Sequence, residues 1–185
     1  MTAASLSVRD LLRGYSPQGP QETADVVRIM ALAQASEDPW SRDLPLHLTA
    51  SALVVHPASG RVLLRWHTRQ QAWLQVGGHG DAGEHDGLAI ALREAAEETG
   101  LRDLTPWPDA ALRHVAIVPV PGAGSEPAHE HADLRFLLAT CTPAAIVAER
   151  PDAPMRWLSV AEAKELTGED NLRETLLRIE KLLVA

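Results

Sequence analysis

The stretch from Gly77 to Leu101, GGHGDAGEHDGLAIALREAAEETGL, constrains this 185-residue chain more than any other. A glycine-rich turn runs into a segment with a dense run of acids. Glu94, Glu97 and Glu98 stand at i, i+3 and i+4, a spacing that stacks three carboxylates on one face of an α-helix. At about 100° per residue, Leu88, Leu92, Ala95, Ala96 and Thr99 fall on the opposite face. The helix is therefore expected to have a packing side and an acidic side, with Ile90 landing on the acidic side as a slight break in the pattern.

Like charges at this spacing destabilise an isolated helix. Such a cluster is either a solvated acidic face or a site for a hard cation. Mg²⁺ and Mn²⁺ take oxygen ligands, and a few carboxylates plus substrate phosphates are the usual way to hold Mg²⁺. The surrounding residues favour the cation. From Arg93 the chain reads Arg-Glu-Ala-Ala-Glu-Glu-Thr-Gly-Leu, and ahead of it lie Gly77-Gly78, five residues, and Glu84.

This arrangement resembles the signature of the Nudix hydrolases: Gly, five residues, Glu, seven residues, then Arg-Glu-hydrophobe-any-Glu-Glu-any-Gly-hydrophobe. Gly78, Glu84, Arg93, Glu94, Ala95, Glu97, Glu98, Gly100 and Leu101 match it. One departure stands out, since eight residues instead of seven separate Glu84 from Arg93. The extra residue is expected in the His85-Asp86-Gly87 turn. That leaves the register of the acids intact and the position of Glu84 open.

The resemblance implies hydrolysis of a diphosphate linked to another group, with Mg²⁺ or Mn²⁺ as cofactor. It implies Glu94, Glu97 and Glu98 as metal ligands, joined by the main-chain carbonyl of Gly78, where the missing side chain lets the backbone approach closely. Glu94 is also the leading candidate for general base. Arg93 would hold a box carboxylate through its fork of donors, and Glu84 would brace Arg93 or cap the helix. The substrate expected is a small nucleotide-type molecule: a nucleotide, nucleotide-sugar or dinucleotide.

The rest of the chain is read in order. Residues 1–44 are expected to form an N-terminal helical extension, and residues 45–185 the Nudix domain. In the extension, Ser5 to Arg13 and Gln21 to Ala35 look helical, the second with Val26, Met30 and Ala33 on one face. Ser36 to Asp43 is a polar linker in which Trp40 reads as an anchor. Leu46 to Val55 and Arg61 to Trp66 read as a hairpin across the Pro57–Gly60 turn. Trp73 to Val76, Ala111 to Val120, Ala132 to Cys141 and Met155 to Leu158 read as further strands. In the third of these, Leu134, Phe136 and Leu138 face one way and Asp133 and Arg135 the other. Ser159 with Glu162 is a capping-box pattern, and Glu169 to Leu183 is a last helix striped by Leu172, Leu176, Ile179 and Leu183. The fold class expected is α/β: a Nudix-like α/β/α sandwich with a mixed β-sheet, preceded by a helical arm.

Further candidates lie outside the acidic helix. His129, Glu130, His131 and Asp133 gather at the mouth of a strand, where His129, His131 and Asp133 share one face. They are candidates for a metal ligand, a phosphate contact or a distal base. Two histidines alternating with acids are also a zinc pattern, although one strand supplies too few ligands for a complete site. His79, in the glycine loop, is a candidate phosphate donor. Trp66, Trp73 and Tyr15 are candidates to stack on a nucleobase.

Composition narrows the partners. The formal net charge is −8 and no basic cluster is present, which argues against bulk nucleic acid. No apolar run approaches the length of a membrane span, and the N-terminus lacks a signal pattern. Cys141, the single cysteine, is expected to be a buried thiol, and the location expected is cytoplasmic. Both a monomer and a homodimer are compatible with the sequence. Two other readings are open: a nucleotide-sensing domain that kept the fold, and a prenyl diphosphate isomerase. The intact acids argue against the first. The second commonly needs a cysteine with a partner, which Cys141 lacks locally.

Overall fold

The computed structural model describes residues 7–183. Two helices come first, α1 (Val8–Arg13) and α2 (Gly19–Ala35). Ser7 caps α1 by accepting from the Asp10 N–H, and the expected start of that helix at Ser5 lies outside the described residues. The strands are β1 (Leu46–His56), β2 (Arg61–His67), β3 (Ala72–Leu74), β4 (Val76–Gly78), β5 (Thr105–Pro106), β6 (His114–Val120), β7 (His129–Ala139) and β8 (Met155–Ser159). The remaining helices are α3 (Gly87–Thr99), α4 (Val160–Leu166) and α5 (Asp170–Leu183).

Among the described residues the eight strands make one mixed sheet with β3, β2, β1, β7 and β5 in that order. β4 also pairs with β1, β6 with β7 and β8 with β2. The β1–β7 pair is parallel and the others are antiparallel. The β1–β7 register runs from Leu46 opposite Glu130 to Val55 opposite Ala139. β7 starts at His129, three residues upstream of the Ala132 start expected from alternation, because pairing with β1 and β6 satisfies the backbone of a stretch whose side chains are polar.

Strand alternation divides the core in two. Leu48, Ala50, Ala52 and Val54 of β1 join Leu134, Phe136 and Leu138 of β7 on one face, under α3 and the arm. Leu53, Val55, Leu137 and Ala139 pack on the other face against α4 and α5 through Val160, Ala163, Leu172, Leu176 and Ile179. The architecture is thus an α/β/α sandwich, and the capping box at Ser159 and Glu162 forms as expected.

The arm packs onto the sheet. Trp40 is buried in the same cluster as Ile29, Ala33 and Ile90. The buried line of α2 is Glu22, Asp25, Ile29 and Ala33, rotated from the expected Val26–Met30–Ala33 face, with Val26 and Met30 at its margin. The rotation has a physical cause. β6 has β7 as its only strand partner among the described residues, so its other edge presents unpaired N–H groups. Glu22 accepts the N–H of Val115 at 3.0 Å and Asp25 that of Ile117 at 3.1 Å. Glu22 is balanced by Arg178 of α5, whose Nη1 lies 2.8 Å away.

Cys141 departs from expectation, since its side chain is exposed. β7 ends at Ala139, and the Cys141 N–H donates to Asp103, so the backbone turns out of the sheet there. Among the described residues, no helix is long and apolar enough to cross a membrane.

Candidate active site

The site is built where β4 hands the chain to α3. Gly77 and Gly78 lie opposite Ser51 and Ala50 of β1. Gly77 has φ +148°, and a Cβ there would stand 2.4 Å from the Ser51 Cα. Only a glycine fits that approach. The loop then runs to Asp86, whose carboxylate caps α3 by accepting from the N–H groups of Leu88 and Ala89.

The extra residue before the helix does not displace Glu84. Arg93 Nη2 donates to Glu84 Oε2 at 2.9 Å and its Nε reaches both carboxylate oxygens. The same guanidinium reaches Glu94 at 2.9 Å, Glu97 at 3.0 Å and the carbonyl of His79 at 2.9 Å. Glu84 thus braces Arg93, while Asp86 does the capping. Hydrogen bonding to Glu84 leads the interactions that raise the Arg93 pKa, and the same bond lowers that of Glu84.

The division of α3 into an apolar side and an acidic side is corrected by its packing. Its buried residues are Gly87, Ile90, Ala91, Ala95, Glu98 and Thr99. Ile90, the apparent break in the pattern, is fully buried, and Leu88 and Leu92 sit at the margin of the core. The acids therefore border the core face instead of opposing it. Glu98 is 8 % exposed. It accepts the Gly77 N–H at 3.2 Å and pairs with Arg65 of β2 at 2.7 Å. Burial pushes its pKa up to about 7 despite Arg65. Burial also raises that of Glu94, whose carboxylate lies against Gly78. Glu97 is the exposed member of the three.

On the opposite side of Gly77 and Gly78 opens a cleft of about 180 Å³ lined by Thr49, Ser51, Gln75, His79, His131 and Asp133 among others. The acids of α3 are not part of its lining; the two glycines separate them from it. Its floor is a buried polar network. Asp133 accepts from Ser51 Oγ at 2.8 Å, Thr49 Oγ1 at 3.1 Å and Arg135 Nε at 2.8 Å. Arg135 also donates to Asn171 and Thr175 of α5. Gln75 Oε1 is buried and has no hydrogen-bond partner among the described residues.

The other sequence candidates separate. His79 and His131 come together at the cleft with ring centroids 4.7 Å apart, and His129 lies beside His131. Burial lowers the pKa of His79 to about 3 and that of His131 to about 4. Glu130 points the other way and pairs with Arg28 of α2 at 2.5 Å. Trp66 and Trp73 meet edge to face at 5.7 Å, Arg156 covers Trp73, and neither indole lines the cleft. Tyr15 bonds to Glu22 in the arm. Sequence reasoning missed Arg65, Thr49, Ser51, Arg135 and His47. Only strand register brings them in, because each stands alone in the sequence among apolar neighbours.

The comparisons with known proteins agree with this fold. The NUDIX domain family model matches residues 45–179. In fold the chain is similar to a C. elegans Ap4A hydrolase (TM-score 0.59, 18% identity, 74% of this chain and 97% of that one). It is also similar to the E. coli dihydroneopterin triphosphate pyrophosphohydrolase (TM-score 0.54, 18% identity, 76% and 96%). A MutT protein from Methanosarcina mazei Go1 gives TM-score 0.54 at 17% identity, over 77% and 98%. No protein of curated function matches the chain in sequence. With the family model spanning most of the chain, the chain belongs to the Nudix family.

Proposed function

We propose that this Nudix-type pyrophosphohydrolase is divalent-metal dependent and cleaves the pyrophosphate linkage of a nucleoside diphosphate derivative by attack of water on phosphorus. One observation carries the reading. Glu94 lies against Gly78 and Glu98 on the Gly77 N–H, Glu84 and Glu97 join Glu94 around Arg93, and among the described residues Arg65 and Arg93 are the cations within 4 Å of these four acids. Buried Glu98 and half-buried Glu94 both have raised pKa values, which is an environment a cation would relieve.

Glu94, Glu97 and Glu98, with the Gly78 carbonyl, would hold Mg²⁺ or Mn²⁺. The bound ion would supply charge neutralisation on phosphate and an acidified water. The side chains do the rest. Glu94 takes the proton as the water oxygen bonds to phosphorus and the bridging P–O bond breaks. Arg93, fixed by Glu84, keeps Glu94 and Glu97 in place. The cleft beyond Gly77 receives the substrate, with His79 and His131 at its wall and Gln75 Oε1 as a free acceptor suited to a nucleobase amino group. The similar hydrolases are named for Ap4A and dihydroneopterin triphosphate, both phosphorylated small molecules, which supports a substrate of that kind. Residues 45–185 would form the catalytic domain and residues 1–44 an N-terminal extension, in which α2 covers the β6 edge.

The test is phosphate or monophosphate release from a panel of nucleotides, nucleotide-sugars and dinucleotides with Mg²⁺ or Mn²⁺, for the wild type beside Glu98→Gln. Turnover of one substrate class is expected, with a loss of about 10²-fold or more in the variant. Binding without turnover across the panel would overturn the reading in favour of a sensor.

A further inference from the structure

Beside the cleft, four imidazoles from three separate segments converge. His47 lies on β1, directly opposite His131 in the parallel β1–β7 register. His129 lies two residues before His131 on the same face of β7, and His79 follows the glycine pair. The ring centroids of His47 stand 5.1 Å from those of His79 and His131 and 5.3 Å from that of His129. One ring nitrogen from each of His47, His79 and His131 falls within 4.8 Å of the others.

The orientation of the rings matters more than their number. His47 Nδ1 lies 2.8 Å from the Leu44 carbonyl, and His129 Nδ1 lies 3.0 Å from the Pro127 carbonyl. A carbonyl oxygen only accepts, so each Nδ1 carries the proton and each Nε2 keeps its lone pair. Those Nε2 atoms point inward, 3.1 Å from His79 Nε2 and 3.2 Å from His131 Nε2. A backbone carbonyl on the outer nitrogen is the usual support of a metal-bound histidine. Tetrahedral ligands at about 2.0–2.1 Å from zinc lie about 3.3 Å from one another, close to the two separations found here.

We propose that His47, His79 and His131 form a transition-metal site of the zinc class, with His129 beside it, its Nε2 3.2 Å from that of His131. All-nitrogen ligation selects zinc, cobalt, nickel or copper over Mg²⁺, whose ligands are oxygens. The site is therefore separate in chemistry from the acids of α3, and it does not depend on the hydrolase reading. It would tie β1, β7 and the glycine loop together at the cleft. Glu126 Oε1, 3.7 Å from His129 Nε2, adds a carboxylate at its outer edge.

The test is titration of tag-free full-length protein with Co²⁺ in excess Mg²⁺, followed by visible absorption, with Zn²⁺ as competitor. One equivalent of Co²⁺ should give the intense band of four-coordinate nitrogen ligation, and Zn²⁺ should abolish it. His47→Gln and His131→Gln should each weaken binding at least about 100-fold, since losing a ligand costs more than losing its outer support. Glu98→Gln should leave the band intact. Zn²⁺ should also raise the Tm of the wild type and leave that of the two histidine variants unchanged. Circular dichroism checks that the variants fold, and His131→Gln, at the less buried position, serves if His47→Gln does not. Absence of the band in the wild type, or an equal band in either folded histidine variant, would overturn the proposal.

Discussion

The carboxylate of Glu94 lies directly over the Cα of Gly78: a Cβ at position 78 would meet Glu94 Oε2 at 2.6 Å. The neighbouring glycine is constrained differently, since a Cβ at position 77 would meet main-chain atoms of Ser51 and Ala50. One glycine makes room for the end of an acidic side chain and the other for the backbone of a strand.

The two substitutions should therefore separate stability from activity. Gly78→Ala is expected to fold with stability within about 1 kcal/mol of wild type, because a carboxylate can rotate away. Displacing Glu94 should nevertheless lower kcat/KM by about 10²-fold. Gly77→Ala must move backbone at a positive φ and should cost about 1–3 kcal/mol or more. Denaturant titration beside a turnover assay distinguishes them, and equal loss of stability in both would contradict this division.

Arg93→Lys tests the fork. The guanidinium spans Glu84, Glu94, Glu97 and the His79 carbonyl at once, which a single ammonium cannot do. The variant should keep its Tm within a few degrees and lose about 10²-fold in kcat/KM. Activity close to wild type would show that net charge near the acids suffices.

Arg178→Met tests the clamp between the arm and α5. It leaves Glu22, which is 3 % exposed, buried without its cation, at an expected cost of about 3–5 kcal/mol. Adding Glu22→Gln should recover part of the loss. Hydrogen exchange at Val115 should speed up in the single variant, because its N–H is held by Glu22.

Acid should destabilise the fold in two windows. Burial, with Arg135 and Arg178 nearby, lowers the His114 pKa from 6.5 to about 3. A depressed pKa gives stability that is present above 6.5 and lost as pH falls toward 3. Burial opposes ionisation of Glu22, yet Arg178 and its other donors lower its pKa from 4.5 to about 2. That contribution is complete above 4.5 and fades toward 2. His114→Asn should flatten unfolding free energy against pH mainly in the upper window, by up to about 1.4 kcal/mol per pH unit. An unchanged slope there would remove His114 as a source.

Much of the candidate site was legible in sequence because it is local. The i, i+3, i+4 spacing placed Glu94, Glu97 and Glu98 together on α3, the strand order gave the sheet, and Ser159 with Glu162 gave the α4 cap. Helical periodicity nevertheless placed Ile90 on the acidic side. Which side of a helix is buried depends on what packs over it, and here the sheet covers the flank that carries Glu98. In the same way, alternation in β7 separated Asp133 and Arg135 from Leu134 and Phe136, but could not tell that both polar residues would be buried in a satisfied network.

Local order along the chain thus determined the secondary elements, the α/β class and the acidic box, because hydrogen bonding and side-chain periodicity act over a few residues. Only the tertiary structure decided what required distant residues to meet. The parallel β1–β7 register set His47 against His131, β2 carried Arg65 to Glu98, and the open edge of β6 drew Glu22 and Asp25 of α2 inward. No local spacing encodes those pairings; they follow from closing one sheet and pairing the polar groups that it buries, such as Glu98, Glu22 and Asp25.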